Sequence, residues 1–93
     1  MIVAVNISRS INNSTLKNAA EGDWKLSINK ARNCTHIIAV DKGDIMEFYD
    51  VQNVRQISDR VRFNLIKSSQ ATAQQIKKQT KGINLAGFTV KYI

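Results

Sequence analysis

Lys77, Lys78 and Lys81, in the stretch QQIKKQTKG, fall within five positions and have no carboxylate near them in sequence. Upstream the nearest acid is Asp59, and downstream there is none before Ile93. Such a group can bind phosphates, repel itself, or support a helix dipole near a C-terminus. Other chemistry is thinly supplied. His36 stands inside an apolar run, where a structural role is expected. Cys34 has no evident base beside it and reads as a small buried hydrophobe. Asp41, Asp44, Glu47 and Asp50 resemble a metal-binding cluster only in spacing. The first two belong to a turn, and strand alternation sends Glu47 and Asp50 to opposite faces. No glycine-rich phosphate loop or nucleophile elbow is present. The sequence therefore calls for no catalytic residue, metal or cofactor.

Charge is distributed more informatively than its total. The 93 residues carry a formal net charge of +7, yet residues 1–50 hold six basic and six acidic side chains. The excess lies in residues 51–93, where Arg55, Arg60, Arg62, Lys67, Lys77, Lys78, Lys81 and Lys91 face Asp59 alone. One-sided charge attracts polyanions. With Trp24 and Lys25 added as a partly exposed aromatic and its cationic neighbour, these residues make the expected nucleic-acid surface. RNA or another single strand is favoured over sequence-read duplex DNA, because no long recognition helix carries Arg, Asn and Gln toward base edges. Phe48, Tyr49 and Tyr92 are further candidates for base stacking. Five neutralised phosphates would give a logarithmic salt dependence with slope near −3.5 on a single strand.

The elements that must position these groups read as follows. IVAVNI at 2–7 is a strand, and Ser14 or Thr15 can cap a short helix over 16–21. Residues 24–26 are extended, and Ser27 caps a brief helix over 28–33. THIIAVDKGDIMEFYDV is a hairpin, with strands at 36–40 and 45–51 and glycine in its turn. Alternation places Ile45, Glu47, Tyr49 and Val51 on one face and Met46, Phe48 and Asp50 on the other. In VRFNLI, Val61, Phe63 and Leu65 point inward, which turns Arg60 and Arg62 outward together. Ser68 or Ser69 caps a helix over about 70–80, Gly82 stops it, and 88–93 forms the last strand. The expectation is one α+β domain over residues 1–93, with a small curled, mostly antiparallel sheet or pseudo-barrel and two or three short helices. The longest apolar runs are far below the roughly 20 residues of a membrane span. Met1 opens onto an apolar run without a basic leader, and a single cysteine suits a reducing compartment, so a cytoplasmic location is expected. A 93-residue core is small, and edges at 2–7 or 88–93 offer pairing across a two-fold, so a homodimer is compatible with the sequence.

Residues 22–93 resemble small PUA-like domains. The resemblance is carried by Trp24, Ala31, the IIAV run with Ile38, Ala39 and Val40, Gly43, Ile45, Tyr49, Val51, Arg62, Phe63, Gly87 and Val90. It implies a pseudo-barrel and RNA binding. The chain departs from that pattern in its extra strand at 2–7 and in lacking the extended loops that hold a modified base. Size, charge and residue usage also resemble small early proteins of T-even-type phages. That group includes RNA-binding factors that counter a host endoribonuclease toxin, so the second resemblance implies a ribonuclease toxin or its ribonucleoprotein as partner in a host cytoplasm. A different reading of the same charges is a protein-interaction inhibitor that docks on a partner without RNA. Complexes that survive nuclease treatment would distinguish it.

Overall fold

The computed structural model describes residues 1–93. Its elements are β1 (Ile2–Asn6), α1 (Leu16–Glu21), α2 (Ile28–Arg32), β2 (His36–Asp41), β3 (Asp44–Ile57), β4 (Arg60–Lys67), α3 (Gln70–Gln79) and β5 (Val90–Tyr92). They form an α+β fold around one five-stranded sheet in the order β4-β3-β2-β1-β5. Only β1 and β2 run parallel; every other neighbouring pair is antiparallel. No helix is long and apolar enough to cross a membrane.

Local chemistry explains the boundaries. Lys42 (φ 52°) and Gly43 (φ 84°) are both left-handed, which is the two-residue turn that matches the twist of β2 and β3. Thr15, Ser27 and Ser69 accept hydrogen bonds from the backbone N–H of Asn18, Lys30 and Thr72, so each helix starts on a hydroxyl cap.

The sheet is covered on both sides, unequally. Val3, Val5, Ile37, Ala39, Tyr49, Val61, Phe63 and Leu65 pack with Ala19, Ala20, Trp24 and Ala31 in a core of 14 buried residues. On the other face Ala4, Ile38 and Val40 are the buried hydrophobic residues of the sheet, packed against Ile76 of α3. The large core lies under the short helices α1 and α2, so burial by the sheet, rather than intrinsic propensity, holds those helices.

Three expectations need correction. The expected strand 45–51 continues to Ile57, and a straight strand of its 14 residues would measure about 46 Å, longer than the 34 Å longest extent of the chain. β3 therefore bends, at register shifts between Ala39 and Val40 and between Val51 and Asn53. The first shift pairs Ile45 with Val40 and seats it on the α3 side, away from Tyr49 and Val51. Strict alternation fails there because the bulge adds a residue at Met46. The second correction concerns β1, which lies between β2 and β5 and offers no free edge at 2–7. The third shortens the last strand to Val90–Tyr92.

The outer edge of β4 is occupied by side chain and loop. Trp24 and Val61 exchange backbone hydrogen bonds in an isolated antiparallel bridge, N···O 2.8 Å each way. The backbone N–H of Leu65 donates to Glu21 Oε2 at 3.0 Å.

Candidate nucleic-acid interface

The ten expected contact residues do not gather on one surface. They separate into two groups: Lys77, Lys78 and Lys81 lie at the end of α3 beside Ile45, whereas Arg55, Arg60 and Arg62 lie at the far end of the β3–β4 hairpin, at positions that alternate with the core-facing Val54, Val61 and Phe63.

On the α3 layer, Lys77, Lys78 and Lys81 are exposed and make no ion pair. Ile76 is the buried anchor of the helix, which turns the adjacent lysines toward the β2–β3 end of the sheet. There they line a concavity of about 530 Å³ with Gln74, Thr80 and Ile45. No carboxylate lines it. The Thr80 hydroxyl donates to Ile76 O at 3.0 Å and is spent on ending the helix.

At the other end of the β3–β4 hairpin, the register sets Arg55 directly opposite Arg62. Like charges placed so are mutually unfavourable. Partial relief comes from Asp23, whose Oδ1 lies 3.7 Å from Arg62 Nη1. Lys25 follows the isolated Trp24–Val61 bridge, and Arg60 Nε is 3.8 Å from Asp59 Oδ1. Both ion pairs are long and solvated, so they hold the guanidinium groups weakly.

Lys67 and Lys91 are committed within the fold. Lys67 Nζ lies 3.4 Å from Glu47 Oε2, and Lys91 Nζ donates to Asn84 O at 3.1 Å and sits over the Phe88 ring. The expectation that the basic excess meets no acid from the first half of the chain is thus overturned for Arg62 and Lys67. It holds for Arg55, Arg60, Lys77, Lys78, Lys81 and Lys91.

Trp24 is also corrected. It is only 7% exposed, and its indole N–H donates to Ala20 O at 2.8 Å. Glycine, aspartate and lysine around it suggest a surface residue, but its backbone pairs with Val61 and draws the ring into the core. Tyr49 is buried and Phe48 lies half-buried beneath α3, so neither offers a stacking face. Tyr92 is exposed, with Lys30 Nζ 4.9 Å from its ring centre. Neither basic group presents an open aromatic platform, which favours contact with phosphates over stacking on bases.

Sequence reasoning missed Arg9. It makes no ion pair or hydrogen bond and lines a cleft beside Trp24. Its setting in a serine- and asparagine-rich connection, within the charge-balanced half of the chain, gave no signal.

The acidic residues are engaged singly. Asp41 accepts from Ser8 Oγ and Asp50 from Ser68 Oγ, each at 2.7 Å, and Asp50 Oδ1 is 3.4 Å from His36 Nε2. No three His, Cys, Asp or Glu side chains converge as metal ligands. Burial pushes the Cys34 thiol pKa up, with the N-terminal charge opposing weakly. We expect native Cys34 to alkylate at least tenfold more slowly than the same thiol in denaturant at pH 8, read by mass spectrometry. Equal rates would mean that the α2–β2 junction opens freely.

Comparison of the chain with protein-family models, with curated proteins and with solved structures finds no match in any of the three.

Proposed function

We propose that the protein is a non-catalytic RNA-binding module whose principal contact is the lysine edge of α3. One observation carries the reading: three ammonium groups without counter-ions line a single concave surface that contains no carboxylate. Repulsion among Lys77, Lys78 and Lys81, the last just beyond the end of α3, is relieved when phosphates sit between the lysines. Arg55, Arg60, Arg62 and Lys25 form a second, weaker backbone contact at the far end of the β3–β4 hairpin. A PUA-like architecture belongs to this proposal and is supported by the bent β3 and by the closure of β4 against Trp24. A ribonuclease toxin carrying RNA, the partner implied by the resemblance to phage factors, would present the same phosphates to the same lysines.

Purification with and without nuclease tests the reading. Untreated protein should carry nucleic acid, seen as a raised ratio of absorbance at nucleic-acid and protein wavelengths and a larger apparent mass. Stripped protein should bind a labelled single-stranded RNA with a logarithmic salt slope of about −2 if α3 alone is engaged, approaching −3.5 if one strand also reaches the arginines. A slope of zero would exclude phosphate contact. A complex whose partner survives nuclease would favour protein docking instead.

A further inference from the structure

We infer that the outward face of the β3–β4 hairpin reads base edges in the major groove of duplex DNA, a second activity that uses none of the α3 lysines. Beyond Asp50, β3 pairs with β4 alone, so the hairpin continues as a two-stranded ribbon. One face of that ribbon belongs to the core: Val61 and Phe63 are buried, and Val54 packs with them. Its opposite face holds three cross-strand rows, Asn53 with Asn64, Arg55 with Arg62, and Ile57 with Arg60. Arg62 is half-buried and the other five are exposed. None of the six belongs to the cluster beneath α3, so the helix leaves this part of the sheet open. No long helix presents Arg and Asn to base edges, but the ribbon does, on a backbone held rigid from behind.

The rows match such a groove in size and in chemistry. A two-stranded ribbon fits the roughly 12 Å width of a B-form major groove. Successive rows are about 6.8 Å apart along a strand, the span of two base-pair steps of about 3.4 Å. Arginine pairs bidentately with guanine and asparagine with adenine, while Ile57, 45% exposed, offers an apolar contact for a thymine methyl. The Asn64 amide makes no hydrogen bond within the protein and keeps both of its ends. Asn53 accepts from Val54 N at 2.9 Å and keeps its donors. Asp23 stands 3.7 Å from Arg62 and Asp59 3.8 Å from Arg60, too far to hydrogen-bond, and Arg55 has no acid partner. A merely solvated hairpin gains nothing by setting two arginines opposite each other. An acidic protein would leave the asparagine row unused, and the major groove of an RNA duplex is too deep and narrow for side chains to read.

The probe is a pool of duplex DNA, about two helical turns long and randomised at its centre, carried through rounds of capture on the immobilised protein and amplification. We expect enrichment of a motif of about five base pairs in which a guanine and an adenine stand about two steps apart. By fluorescence anisotropy the recovered duplex should bind about 100-fold more tightly than its scrambled sequence or than an RNA duplex of the recovered sequence. Arg55→Lys keeps the charge and loses the fork, and Asn64→Ala removes the amide. Each should cut that discrimination about tenfold while leaving the scrambled duplex, the salt slope and the melting temperature unchanged, which a merely structural role would not do. The Lys77, Lys78 and Lys81 triple alanine variant should discriminate as the parent does. The inference is overturned if no motif is enriched, if the scrambled or RNA duplex binds as tightly, or if both ribbon variants discriminate like the parent. Should that happen while labelled single-stranded RNA still binds, the α3 reading stands and only the ribbon is lost. If the recovered duplex binds and single-stranded RNA does not, the α3 reading fails and the ribbon remains.

Discussion

Replacing Lys77, Lys78 and Lys81 together with alanine should weaken single-stranded RNA about 100-fold at low salt and flatten the salt slope by about 2. The first figure assigns roughly 1 kcal/mol to each solvated ammonium–phosphate contact, and the second takes about 0.7 per phosphate released from counter-ions. Thermal stability should stay within about 0.5 kcal/mol of the parent, because all three side chains are exposed and alanine is the stronger helix former at the two positions inside α3. Fluorescence anisotropy across a salt series, with a circular dichroism melt of each protein, measures both. Unchanged affinity and slope would remove α3 from the interface and pass the phosphate contacts to the arginine group.

Gly22→Ala should be the most damaging small substitution in the chain. Gly22 adopts φ 43° and ψ −160°, a conformation open to glycine almost alone, costing other residues about 1–3 kcal/mol. An added Cβ would also lie 2.5 Å from Trp24 Nε1, so the indole must move. Moving it breaks the bond to Ala20 O and leaves a buried donor unpaired, at about 1–3 kcal/mol more. We expect a loss of about 3 kcal/mol or more, or roughly 12–24 °C in Tm for a domain of this size, with a red shift of tryptophan emission. A Tm within about 4 °C of the parent would show that the turn relaxes without disturbing Trp24.

The parts of the fold that the sequence revealed are those fixed by neighbours in the chain. The 35–51 hairpin announced itself through two β-branched runs and Gly43, and α3 through Ser69, the apolar Ile76 and the lysines on its own edge. What was hidden depends on partners far away in sequence. The bulge that moves Ile45 to the α3 face is set by the pairing of Val40 across the turn, and alternation alone is blind to it. The extension of β3 through QNVRQI is mostly polar, with only Val54 reaching the core, and becomes a strand because β4 returns alongside it. Trp24 looked exposed because its neighbours are polar, whereas Val61, 37 positions later, decides its place. The same long-range bridge brings Asp23 to Arg62, which is why the basic excess proved less solitary, and more divided, than the linear charge pattern suggested.

The carboxylate of Glu21 on the Leu65 amide has a consequence for behaviour at high concentration. An eight-residue border strand with open amides invites amyloid-like growth by intermolecular strand addition, and here the Val61 and Leu65 amides of that border are taken by a tryptophan turn and an acid instead of by another strand. The remaining open border is the three-residue β5, too short to template much. Solubility is thereby tied to the seating of one helix of six residues: whatever lifts α1 exposes an adhesive ribbon as well as the interior beneath it.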